Sequence, residues 1–142
     1  MRLWGLLLAG ALAAESTAAM AQNTSFELQL VDAKTQGADC SIVIRVKNLL
    51  GIDITEAHYE VQGLDDKDLY KGSFNLSLGE IKKNKERFLH FVLANAPCDG
   101  IARLHANGFT SCKGDKDYLD LCNNSAKVSS TIKIAFNDDA TG

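Results

Sequence analysis

No apolar run in this chain reaches the roughly twenty residues that a helix needs to cross a bilayer. The longest occupies residues 3–14 and is closed at once by Glu15, so a retained helical anchor is not expected. Proline occurs only at Pro97, and no internal repeat, linker or low-complexity stretch divides the sequence. Basic residues are not in excess: Lys and Arg number 15 against 18 Asp and Glu, for a net charge of -3. That balance argues against a nucleic-acid or anionic-membrane binder, whose footprint is basic clustering. The densest basic stretch, Lys82, Lys83, Lys85 and Arg87, lies beside Glu80 and Glu86 and reads as a solvated turn. Catalytic signatures are missing as well. There is no G-x-S-x-G, no H-E-x-x-H and no C-x-x-C, the spacings of a nucleophile elbow, a zinc protease and a redox or zinc-knuckle pair. Neither an enzyme nor a cofactor is expected.

What the chain does have begins with Arg2, the apolar run, and small residues ending in Ala19-Met20-Ala21. Charge, apolar core and an A-x-A site form the pattern of a cleavable export signal. Residues 1–21 are therefore read as a signal peptide and residues 22–142 as one mature domain, near the commonest domain size. No cysteine sits at the cut to take a lipid, and the C-terminal Ala-Thr-Gly carries neither a retention signal nor an apolar tail. The product is expected to be soluble and periplasmic or secreted. The Ala-rich cleavage region favours a bacterial periplasm; sequons at Asn23, Asn75 and Asn123 would accept glycans in a eukaryotic pathway.

The mature sequence alternates with period two, the mark of strands that bury one face. Phe26, Leu28 and Leu30 define a first strand, and Cys40, Ile42, Ile44 and Val46 a second. Ala57, Tyr59 and Val61 face one way in a third, with His58, Glu60 and Gln62 opposite. A fourth runs over residues 69–76, broken by Gly72. Residues 87–93 are nearly continuous apolar sequence, so a strand covered on both faces is expected there, ended by Pro97. Ala102, Leu104 and Ala106 mark a sixth, and Val128, Ile132, Ile134 and Phe136 a seventh. Residues 118–122 suit a single helical turn. Seven short strands in a chain of this length predict an all-β sandwich of immunoglobulin or fibronectin type III architecture, with a small closed barrel as the alternative.

Four cysteines in an exported domain should pair, and four allow three connectivities. In a seven-strand sandwich the second and sixth strands run in the same direction on opposite sheets. Cys40 and Cys98 open those strands and fall at one end; Cys112 and Cys122 fall at the other. The expected disulfides are Cys40 to Cys98 and Cys112 to Cys122, worth about 4 and about 2.7 kcal/mol by loop-closure entropy.

Val46-Lys47-Asn48, Tyr59-Glu60-Val61, and Leu78-Gly79-Glu80 ahead of Phe88 resemble FxLYD-like domains, small extracytoplasmic sandwiches, over residues 40–95. The resemblance implies a non-catalytic accessory or interaction module and carries no site residues across.

Three candidate sites remain. Residues 113–121 combine Asp115, Asp117 and Asp120 with Tyr118, Leu119 and Leu121 inside the second disulfide. Such a clamped loop loses little entropy on binding and offers aromatic and aliphatic anchors, or it is a cover folded back on the core. Its aspartates lack the glycine and closing glutamate of a calcium loop. His58 and His105 fall on the outer face of the third and sixth strands. If directly opposed about 5 Å apart, they could hold copper or zinc with Glu60. His90 belongs to the other sheet, and Asp65, Asp66 and Asp68 read as a solvated turn. The clean alternation at residues 25–30 and 128–136 raises a third reading, a structural subunit that exchanges strands. The expected partner is another envelope or extracellular protein, with no nucleic acid and no membrane insertion after signal cleavage.

Overall fold

The computed structural model describes residues 24–139. The expected signal over residues 1–21 and the Asn23 sequon lie outside them. Eight strands form in chain order: β1 (Ser25–Gln36), β2 (Asp39–Leu49), β3 (Glu56–Leu64), β4 (Tyr70–Ser77), β5 (Glu86–Leu93), β6 (Arg103–Lys113), β7 (Ala126–Ser130) and β8 (Ala135–Asn137). A 3-10 turn at Cys98–Gly100 precedes β6, and one short helix, α1 (Leu119–Ser125), separates β6 from β7. The strands assemble into two four-stranded sheets with orders β5-β2-β1-β7 and β4-β3-β6-β8. The chain is thus an all-β, two-sheet, sandwich-like domain.

Strand alternation produces this arrangement directly, because each sheet must bury the apolar face that its period-two pattern creates. Phe26, Leu28, Leu30, Cys40, Ile42, Ile44 and Val46 line the inner face of the first sheet and have no exposure at all. Ala57, Tyr59, Val61, Leu104, Ala106 and Phe136 face them from the second. Phe109 joins the two layers, its ring 5.0 Å from that of Phe26 and 4.8 Å, edge to face, from that of Tyr59; such contacts add to the area they bury.

Three local expectations change. The single last strand becomes two, because the chain reverses over residues 131–134. Ser130 drives the break: its hydroxyl lies 2.6 Å from the Ile134 carbonyl and accepts the Ile132 N–H at 3.2 Å, offering the backbone local bonds in place of a ladder. β7 therefore ends on the first sheet, parallel to β1, and β8 joins the second, parallel to β6. In β6 the inward positions run Leu104, Ala106, Phe109 and Cys112 because two register shifts against β3 each insert an extra residue. Ala102 lies before the strand and is exposed. The third change is at β5, which pairs only with β2 and forms an edge. Of its inner positions Leu93 is buried and Leu89 and Phe91 are half-buried, while Phe88 and Val92 are 56% and 60% exposed. The apolar run is not enclosed on both faces.

Both expected disulfides are formed. Cys40 and Cys98 join β2 to the 3-10 turn with Cα atoms 4.7 Å apart, and Cys112 and Cys122 tie β6 to α1 at 6.5 Å. β7 and β8 pack on one another and link the two sheets along one side. β5 and β4 are the edges of the opposite side.

Candidate functional site

The histidine pair does not assemble. β3 and β6 are neighbours and His58 and Glu60 point outward, as the alternation requires, but the register sets His58 against Ser111 and His105 against Gln62. The two imidazoles are thus separated by four strand positions, about 13 Å. The register at which β3 and β6 pair, not the two extra residues in β6, produces the offset. Each ring has its own partners. His58 Nδ1 lies 3.1 Å from Asn75 Oδ1 and Nε2 3.2 Å from Glu56 Oε1, while His105 Nδ1 lies 3.4 Å from the Arg103 guanidinium. Glu60 accepts from Asn107 at 2.8 Å and from Ser73 at 3.3 Å. Among the described residues no three His, Cys, Asp or Glu side chains converge as metal ligands, and a guanidinium beside His105 opposes a second cation.

The clamped loop is built mainly from its own residues. Asp117 Oδ1 accepts the Leu119 N–H at 2.8 Å at the start of α1. The Tyr118 hydroxyl donates to Asp115, which pushes the phenol pKa above its ordinary value because the carboxylate holds the proton in place. Lys116 Nζ stands 5.4 Å from the Tyr118 ring centroid. Tyr118, Leu119 and Leu121 are half-buried against the core, and Asp120 is exposed. Gly114 lets this loop approach the turn before β3, since a Cβ there would come within 2.4 Å of the Asp53 carbonyl oxygen. Two aspartates and the aromatic are therefore engaged in holding the loop closed. The arrangement is that of a cover folded back on the core.

The strands considered for exchange are both paired within the chain. β1 is paired on both sides, to β2 and to β7.

The exposed apolar surface lies elsewhere, on the open side. Phe88 and Val92 project from β5, and Leu69 and Tyr70, 58% and 62% exposed, mark the start of β4. Asp65 shapes that start: its Oδ1 accepts the N–H groups of Lys67 and Leu69 at 2.8 and 2.9 Å. These bonds, the Leu69 amide first, with Lys71 adding its charge, hold the carboxyl below the usual carboxylate range. The acidic turn is solvated at Asp66 and Asp68, as expected, and Asp65 shapes it so that it presents Leu69 and Tyr70.

Three further residues carry the geometry without having been singled out for it. Asn48 is fully buried; its Nδ2 donates to the carbonyls of Ile52 and Ile81, both at 2.8 Å, and its Oδ1 accepts the Leu50 N–H at 2.9 Å. It thereby fixes the approach to β5 against the end of β2. Arg103 donates to Asn137 Oδ1 and the Asp139 carbonyl, both at 3.0 Å, and reaches Asp68 at 3.4 Å, tying the chain's last described residues to the turn before β4. Asn123 accepts the Phe109 N–H at 2.7 Å and donates to its carbonyl at 3.2 Å, so this sequon amide is part of the fold. Only Asn48 left a trace in the sequence, as a polar residue closing an otherwise alternating strand.

The fold defines the class: small disulfide-linked domains of two β-sheets. The solved structure of IrmA from Escherichia coli is similar, with a TM-score of 0.55 over 73% of this chain and 90% of that one, at 10% sequence identity. This likeness concerns the fold alone. No family model matches the sequence. No curated protein matches it either.

Proposed function

We propose that this chain is an exported, non-catalytic module of immunoglobulin or fibronectin type III type that acts by protein contact within a cell envelope. The observation that carries the reading is the concentration of exposed apolar side chains, Phe88, Val92, Leu69 and Tyr70, along the two edge strands of one side. Single apolar residues on a surface are ordinary, whereas these stand on or beside unpaired strand edges, which also offer backbone hydrogen-bonding groups to a partner. Two disulfides suit an oxidising compartment outside the cytoplasm, in keeping with the leader-like start of the sequence. A photo-crosslinking residue at Tyr70, expressed in the native compartment, should give a discrete adduct with another protein, and Leu69→Asp should abolish it. Adducts arising only from a probe at Asp120 would transfer the contact to the clamped loop. Absence of adducts at both positions removes the reading.

A further inference from the structure

We propose that the open edge of β5 is a self-pairing surface, where a second copy of this chain adds antiparallel about a two-fold axis at His90 and joins the two first sheets into one. Edge strands are normally blunted by proline, a bulge or charges along their length. β5 has neither proline nor register shift, and its charged residues, Glu86 and Arg87, stand only at its start.

The direction of its backbone groups fixes which residues are available. The Asn48 N–H donates to the Lys85 carbonyl at 3.0 Å, one step beyond the β2–β5 register. Antiparallel alternation then turns the amides of Arg87, Leu89, Phe91 and Leu93 toward β2 and those of Glu86, Phe88, His90 and Val92 toward the open edge. In a symmetric pair the outward-bonding residues must oppose one another, and an axis at His90 meets that condition. It sets Phe88 opposite Val92 of the second copy on the outer face, twice by symmetry, and Leu89 opposite Phe91 on the inner face. Both faces then gain apolar cross-strand pairs. A shift that opposed Phe88 to His90 would instead set Glu86 against Val92 and Arg87 against Phe91.

Charge beyond the strand agrees. β5 is entered through Lys82, Lys83 and Lys85, where Glu80 and Glu86 are already drawn to Lys82 at 3.9 Å and Arg45 at 2.9 Å. It is left beside Asp39, whose carboxylate holds the Asn95 N–H at 2.9 Å, and beside Asp99. Lys71 lines the same end but leans on Asp65 at 3.7 Å. Antiparallel pairing brings Lys85 opposite Asn95 and hence the basic entry of each copy to the acidic exit of the other. This complementarity selects a second copy as the occupant. The contact is isologous and closed, so it stops at two.

The interface is one strand wide, below the standard size of stable complexes, and its equilibrium belongs at high concentration. Sedimentation velocity of the purified, oxidised protein from about 1 μM to about 1 mM should show monomer passing to dimer. Phe88→Glu and Val92→Lys, both at exposed positions, should each weaken dimerisation by about tenfold or more with an unchanged melting temperature. The double variant places the introduced carboxylate opposite the introduced ammonium at both ends and should recover the affinity. A wild-type chain that stays monomeric throughout, single variants that dimerise as well as wild type, or a double variant as weak as the singles would each overturn the proposal. It builds on the open-side reading, leaving Leu69 and Tyr70 for a different protein. The adduct at Tyr70 tests that partner separately, so either can fail alone.

Discussion

Asn48 shows how much one side chain can decide. It is a polar residue at a core position, tolerated because every hydrogen-bonding atom it has is used. Replacing it removes one acceptor and two donors at once, and buried groups left without partners cost about 1 to 3 kcal/mol each. Asn48→Ala is expected to lower stability by about 3 kcal/mol in a urea titration, with the slope unchanged. Tyr59 gives a prediction in pH. Burial, and then the charge of Asp138, pushes its phenol from 10.0 up to about 12. Because the folded pKa is the higher one, the stability it reports is fully present below pH about 10 and drains away as pH rises through about 12. Chemical denaturation at pH 9 and pH 11.5 should show this loss, and Tyr59→Phe should remove that contribution to it.

At the scale of elements, alternation was enough to place the first six extended segments and the inward residues of β1, β2 and β3, since a period of two leaves little choice of face. It could not reveal bulges. The register that sets His105 opposite Gln62, out of reach of His58, left no mark in either strand, and the shifts in β6 left none beyond Gly108, whose positive φ of 109° suits the irregularity. The break at Ser130 was equally hidden, because Val128, Ile132, Ile134 and Phe136 keep a pattern that one strand would also show. β5 reads as buried since its outward residues are apolar, and only its place at the sheet edge explains why they are not covered. The loop around α1 offers a direct check. Gly114→Ala forces a Cβ against the Asp53 carbonyl, so the Tyr118 loop must shift. A loss of about 1 to 3 kcal/mol is expected, with chemical-shift changes confined to residues near 53 and 114–119.

Across the whole molecule the two disulfides have unequal weight. The Cys40–Cys98 link spans 58 residues and the Cys112–Cys122 link 10, so the first restricts the unfolded chain more. Replacing Cys40 and Cys98 together by alanine should cost about 4 kcal/mol, and replacing Cys112 and Cys122 about 2.7 kcal/mol; paired thermal melts of the two variants would rank them. Both links were legible because strand order alone assigns cysteines to opposite ends of two packed sheets.

Local alternation and the directions of successive strands were enough to make the described chain all-β, to bury the inner faces of β1, β2 and β3 and to bring each cysteine to its partner. Tertiary structure alone decided the offset of the histidines, the division of the last strand between two sheets and the exposure of Phe88 and Val92. Those depend on register and on which strand is left at an edge, quantities set by how distant segments pair and invisible to any pattern within a segment.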